Sequence, residues 1–268
     1  MIGYGNSMFL ATHGILARSG GGGGFDPDAQ AFITAASITD PTQQSAINQL
    51  VLDLKGYSIW TKFKAIYPIV GGTASTHKWN LKDPRDLDAA FRLTFTTGWT
   101  HSSTGMIGLN AYSDTKLNVL SNLLQNSTHI SAYVRTNNTS NKAVIAASRA
   151  ATPSLNIFPN FSGSSYFRVN SNPDGGVSTG GSHLGLWIAN RITSTETRNY
   201  RNTTRYVNAT VSTGLINQSI YIASSPDFAD YYLNQIAFAS IGDGLTDTDA
   251  ANFYTAVQAY QTALSRNV

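Results

Sequence analysis

The chain holds one glutamate, Glu196, no cysteine, and five histidines: His13, His77, His101, His129 and His183. These residues bound the chemistry before any fold is considered. Glycoside hydrolysis ordinarily needs two carboxyl groups flanking the scissile bond, and a pair of glutamates is not available here. Aspartates can substitute in principle, and Lys82-Asp83-Pro84-Arg85-Asp86-Leu87-Asp88 is the one dense cluster. It reads as a loop, with Asp83 set before a proline and Arg85 screening its neighbours. The missing cysteine excludes disulfides, thiolate nucleophiles and cysteine-bound zinc. The histidines are scattered, with no HExxH pair, and no GxSxG elbow occurs. Asp243, Asp247 and Asp249 resemble a calcium loop only in part: the alternate spacing and the terminal Glu of an EF-hand are absent, and helix capping accounts for Asp247 and Asp249. The expectation is a chain without catalytic residues, metal or cofactor.

Recognition chemistry remains. A flat aromatic ring takes the apolar face of a sugar, while neighbouring amides and carboxylates hold its hydroxyls. Two places offer that combination: Trp99 and His101 in the loop Trp99-Thr100-His101-Ser102-Ser103, and Tyr200 and Asn202 in the turn Asn199-Tyr200-Arg201-Asn202. Other partners are disfavoured. Net charge is +3 with no run of Lys or Arg, which gives no nucleic-acid groove. No segment approaches the roughly 18 apolar residues that span a bilayer. The head MIGYGNSMFLATHGILARS also lacks the basic start of a signal peptide. Charged residues make up only 12% of the chain, about half the usual fraction. The polar surface is therefore built from Asn, Ser, Thr and Gln, which suits an extracellular or particle-bound β protein.

The elements that must position these residues follow from period and punctuation. Residues 1–18 form an apolar head, in which Met8, Phe9, Ile15 and Leu16 are the candidate docking side chains for a particle surface or sister subunit. A helix this short is marginal in water by itself, so it would order against a partner. Residues 19–25 are a glycine-rich linker with a reach of roughly 12 Å. Residues 26–56 read as two helices, each opened by Asp-Pro: Asp26 and Asp40 cap, Pro27 and Pro41 follow, and Gln43 stands where a capping box wants it. From 57 to 268 the period shortens. FRLTFT, HISAYVR, LGLWIAN, SIYIAS and QIAFASI alternate as strands between Gly, Asn, Ser and Thr clusters. The chain closes on an amphipathic helix capped by Thr246 with Asp249, with Arg266 at its C-terminal end. This predicts a mainly β chain: an antiparallel β-sandwich (jelly roll, concanavalin A-like) with two N-terminal helices, a C-terminal helix and an N-terminal anchor segment.

The stretches DAQAFITAASITDPTQQSAINQLVLDLKGYSIWTKFKAIYPIVGG, HKWNLKDPRDLDAAFRLTF, GWTHSSTG and NQIAFASIGDGLTDTDAANFYTAVQAYQTAL together resemble a module of tailed-bacteriophage virion proteins. That module is described as a concanavalin A-like or LamG-like sandwich. The resemblance spans about residues 26–265. It implies a non-enzymatic structural protein of the virion: a capsid decoration, head fibre or tail appendage. Such a protein would be held to capsid, portal or tail proteins through its N-terminal segment and associate as a homo-oligomer. The alternative is a lectin-like receptor-binding protein for host surface glycans. The module brings no shared catalytic motif.

Overall fold

The computed structural model describes residues 24–149, 151–172 and 176–268. The candidate anchor residues Met8, Phe9, Ile15 and Leu16 lie outside them. Two helices open the described chain, α1 (Pro27–Ala35) and α2 (Pro41–Gly56). Asp26 and Asp40 cap them as expected, with Pro27 and Pro41 in the first turn. Gln43 does not complete a capping box. Its side chain instead accepts a hydrogen bond from the Gly71 amide at 2.9 Å, tying α2 to the loop beyond the first strand.

Sixteen strands and three further helices follow: β1 (Phe63–Tyr67), α3 (Ala74–His77), β2 (Thr94–Phe95), β3 (Trp99–Ser102), β4 (Gly105–Gly108), β5 (Ser113–Asn118), α4 (Val119–Asn122), β6 (Thr128–Val134), β7 (Ile145–Ser148), β8 (Ser154–Phe161), β9 (Ser164–Ser171), β10 (Gly185–Arg191), β11 (Thr197–Arg201), β12 (Thr204–Asn208), β13 (Ser219–Ile222), β14 (Ser224–Ser225), β15 (Phe228–Tyr231), β16 (Ile236–Gly242) and α5 (Asp247–Ala263). All pairings are antiparallel. The larger sheet runs β12-β11-β10-β6-β16-β4-β3, with β1 also on β16. The smaller runs β2-β5-β13-β7-β8-β9. Together they form the antiparallel β-sandwich read from the sequence.

The larger sheet is covered on both faces, so β6, β10 and β16 are buried along their whole length. Ile130, Ala132, Val134, Trp187 and Ala189 enter the core between the sheets. Tyr133, Leu186, Ile188 and Phe238 face the other way, into a second core shared with α1, α2 and α5 through Phe32, Leu50, Phe253 and Val257. Strand side chains alternate between faces, and here both faces lead to apolar layers. The helical layer leaves polar groups under it that must be paired. His129 is fully buried, Nδ1 against the Asp243 carbonyl and Nε2 against the Ser240 hydroxyl, which in turn meets Ser131.

Several elements are shorter than their apolar runs. Trp60–Lys62 is a 3-10 turn, and only Phe63–Tyr67 pairs as strand. In FRLTFT only Thr94 and Phe95 pair, because Phe91 takes a left-handed φ of 59°. Arg266 is not a solvent-facing helix end. It is fully buried and donates to the carbonyls of Pro68, Ile69 and Ala237 at 2.8, 2.7 and 3.0 Å, stitching the C-terminus to the strand layer. Among the described residues no helix is long and apolar enough to cross a membrane.

Candidate functional site

The four residues singled out for glycan contact lie on one sheet but not in one site. Trp99 and His101 sit on β3 at one edge, and Tyr200 sits on β11, next to the opposite edge strand. Five strand steps separate them, about 24 Å at the usual spacing. The sequence reading of 99–103 as a loop is corrected: Trp99 through Ser102 pair with β4 as strand. Of the 199–202 turn, Asn199, Tyr200 and Arg201 are strand and only Asn202 is in the turn.

At the β3 edge the aromatics close the sandwich. Trp99 and Phe95 pack against the core between the sheets, ring centroids 5.8 Å apart at 70°. The Trp99 indole donates to the Tyr112 carbonyl at 3.1 Å. His101 packs edge-on to Phe95 at 4.8 Å and its Nδ1 lies 2.9 Å from Nδ1 of His77. The Gly72 amide donates to Nε2 of His77 at 3.2 Å, which fixes the tautomers. His77 carries its proton on Nδ1 and donates it to His101, whose Nδ1 is an acceptor. This arrangement requires both rings neutral. Burial, then the neighbouring His101 and Arg266, depress His77 to about 3, and burial lowers His101 as well. No sequence spacing marks this pair, since 24 residues separate its members.

The opposite edge is open. A two-residue turn, Asn202-Thr203, joins β11 to β12, set by the Arg201–Thr204 register. Asn202 holds φ 54° there, a conformation asparagine tolerates. Its Oδ1 accepts from the Leu186 amide at 2.8 Å and sits where a Cβ on residue 185 would lie 2.3 Å away, so Gly185 is required. The Asn202 side-chain NH2 makes no hydrogen bond among the described residues. Between this hairpin and α5 lies a cleft of about 400 Å³ lined by Tyr200, Asn202, Thr203, Arg205, Asp247, Ala251, Tyr254 and Thr255.

Asp247, in the first turn of α5, organises the cleft. Its Oδ1 accepts from the Tyr200 hydroxyl at 2.7 Å and its Oδ2 from Arg205 at 2.5 Å. Arg198 approaches Oδ1 at 3.5 Å and pairs with Glu196 at 2.7 Å. The Tyr200 hydrogen bond, then Arg205 and Arg198, hold the Asp247 carboxyl below its ordinary range against opposing desolvation. Burial, then the Asp247 bond, pushes the Tyr200 hydroxyl up. Tyr200 and Arg205 are cross-strand partners, which brings their side chains to one face. The Tyr200 ring is mostly in the helical core, 5% exposed, so Tyr254 supplies the more accessible aromatic wall. Tyr254, Arg205 and Ala251 carry no sequence signal as cleft residues, and Asp247 reads from sequence as part of a helix start. The α5 periodicity marked the buried stripe, and the cleft side of that helix carries no pattern of its own.

The other sequence candidates resolve into ion pairs. Asp83 pairs with Arg85, Asp86 with Lys78 and Arg92, and Asp88 with Arg92. Asp83 and Asp86 are lowered, chiefly by their bonds to Arg85 and to Lys78, the opposite of the raised carboxyl a general acid needs. Asp243 pairs with Lys64, and Asp249 caps α5 while pairing with Lys62. Among the described residues no group of three His, Cys, Asp or Glu converges as metal ligands.

No protein-family model matches the sequence, and no curated protein does so either. Similar folds occur among solved structures. Trypanosoma rangeli sialidase aligns over 79% of this chain and 38% of its own, at 7% identity and a TM-score of 0.50. Domain 4 of a GH43 extracellular arabinanase from Geobacillus stearothermophilus, solved with arabinotriose, aligns over 72% of this chain and 98% of its own, at 12% identity and TM-score 0.46. The botulinum neurotoxin serotype D binding domain aligns over 74% and 51%, at 9% identity and TM-score 0.49. The chain thus spans 38% of the sialidase and 51% of the toxin domain. At these identities the likeness concerns the β-sandwich fold.

Proposed function

We propose that this chain is a non-enzymatic β-sandwich protein of a tailed-phage particle that binds glycans on the host surface. The observation that carries the binding part is the cleft between the β11–β12 hairpin and α5. Tyr254 offers an aromatic wall there, Asn202 an unused pair of amide hydrogens, and Asp247 an ionised carboxylate held in place by Tyr200 and Arg205. A carboxylate held below its ordinary range accepts hydrogen bonds from sugar hydroxyls and is unsuited to the general-acid role in glycoside cleavage. The single glutamate is engaged by Arg198, in keeping with a non-catalytic role.

The particle location rests on the sequence resemblance and on the layout of apolar head, glycine-rich linker and sandwich. In this reading residues 1–18, with Met8, Phe9, Ile15 and Leu16, dock to capsid, portal or tail proteins, and copies associate. The lectin-like role and the structural role coexist: one end holds the particle and the cleft meets the host. A glycan microarray with the full chain tests the binding role, and signal above an unrelated sandwich protein is expected. Peptide mass spectrometry on gradient-purified particles tests the location. Recovery with the particles is expected, and recovery only from the soluble fraction overturns the structural role.

A further inference from the structure

The charge pattern of the cleft bears on the class of sugar it admits. Its lining holds one cation, Arg205, and one anion, Asp247, in direct contact at 2.5 Å. Immediately outside, Arg198 links Asp247 to Glu196. Two arginines thus face two carboxylates, and the local charge cancels. A sugar carboxylate entering the cleft would meet the ionised Asp247, whose charge already offsets that of the Arg205 guanidinium beside it. Like charges at hydrogen-bond distance are strongly disfavoured where water is partly excluded. A hydroxyl meets no such barrier, because it both donates and accepts. It can donate to an Asp247 oxygen while a neighbouring hydroxyl accepts from the Asn202 amide, and the apolar ring face can lie on Tyr254.

We infer that the cleft selects uncharged sugars with adjacent hydroxyls, and that Asp247 is the residue that excludes uronic and sialic acids. This inference rests on the glycan-binding reading of the cleft. Affinity electrophoresis of the full chain tests it, in gels containing neutral polymers (arabinan, galactan, mannan, β-glucan) or acidic ones (polygalacturonate, alginate, polysialic acid). The wild type is expected to be retarded by at least one neutral polymer and by none of the acidic ones. Asp247→Asn leaves one positive charge in excess, on Arg205, because Arg198 keeps Glu196. Its affinity for the neutral polymer should fall by about tenfold, roughly the loss of one charged hydrogen bond, and salt-sensitive retardation by polygalacturonate should appear. Ala251→Trp, an exposed substitution on α5 one turn beyond Asp247, fills the cleft and should abolish neutral binding. Thermal unfolding of both variants close to wild type separates these effects from misfolding. Wild-type retardation by acidic polymers, or an Asp247→Asn variant with unchanged selectivity, overturns this inference and leaves glycan binding standing. Retardation by no polymer at all overturns both.

Discussion

The two edges of the larger sheet were given the same kind of residue and put them to different uses. At β3, Trp99, Phe95, His101 and His77 turn inward and seal the gap between the sheets. At β12, the helical layer stands over the hairpin and leaves a cleft, so Tyr200, Asn202 and Arg205 meet helix α5 across open space. Aromatic residues beside polar ones are therefore not a binding site by composition alone. What matters is whether a second layer has already consumed the ring faces and hydrogen-bonding groups. The β3 edge has spent its groups on packing, whereas the cleft keeps an amide, an aromatic wall and a charge-balanced carboxylate in reserve.

Acid should have the largest effect, through buried histidines that lie outside the cleft: His77 at the β3 edge, His129 under the helical layer and His183 against Tyr232. His77 is depressed to about 3, and His129 and His183 to about 4, in each case first by burial. The unfolded chain then binds more protons than the folded one below about pH 6.5. Stability is complete above that value and falls as pH drops toward the folded values, by about 2 kcal/mol for each histidine at pH 5. Asp247, held below its ordinary range, stays ionised through this window. Thermal melts from pH 7 to pH 4.5 should therefore fall steeply before the cleft network titrates. A flat melting temperature across that range would break the account of the three buried neutral histidines.

The next effect is Arg266→Ala, which leaves the Ile69 carbonyl without a donor, while Pro68 and Ala237 keep Tyr260 and Gln261. A loss of about 3 kcal/mol is expected in urea unfolding, from the orphaned carbonyl and the space left by the side chain, with a loss below 1 kcal/mol contradicting its role as a stitch. Trp99→Ala removes a partly buried ring from the sandwich edge and should cost about 2 kcal/mol. Tyr200→Phe is the mildest, about 1 kcal/mol. Its sharper signature is the Asp247 carboxyl, which should titrate higher than in the wild type once its leading hydrogen bond is gone, a change readable by carboxyl NMR.

The sequence carried the frame well where local rules dominate. Asp26-Pro27, Asp40-Pro41 and Thr246 with Asp249 mark helix starts because capping is settled within four residues. Alternation in HISAYVR and LGLWIAN marks strands because the period is built into the backbone. Tyr200 and Asn202 stand out by type and turn context, and both line the cleft. Its other half, Tyr254, Ala251 and Asp247, comes from a helix more than 40 positions away, and only the tertiary fold brings it there. The His77–His101 contact and the stacked pair of Tyr112 and Tyr221, 4.5 Å apart, were equally invisible, since neither has a local spacing. Arg266 misled for the same reason: a basic residue at a helix end normally faces solvent, and here the following turn carries it inward.

The central claim is that the sugar is held by the cleft and not by the aromatic edge. The most direct measurement is a parallel calorimetric titration of wild type, Tyr254→Ala and Trp99→Ala with the carbohydrate that gives the strongest microarray signal. The account predicts that Tyr254→Ala loses binding by tenfold or more, on the order of one stacking contact, while Trp99→Ala binds as wild type despite its lower stability. The reverse pattern, with binding lost in Trp99→Ala and kept in Tyr254→Ala, would contradict it.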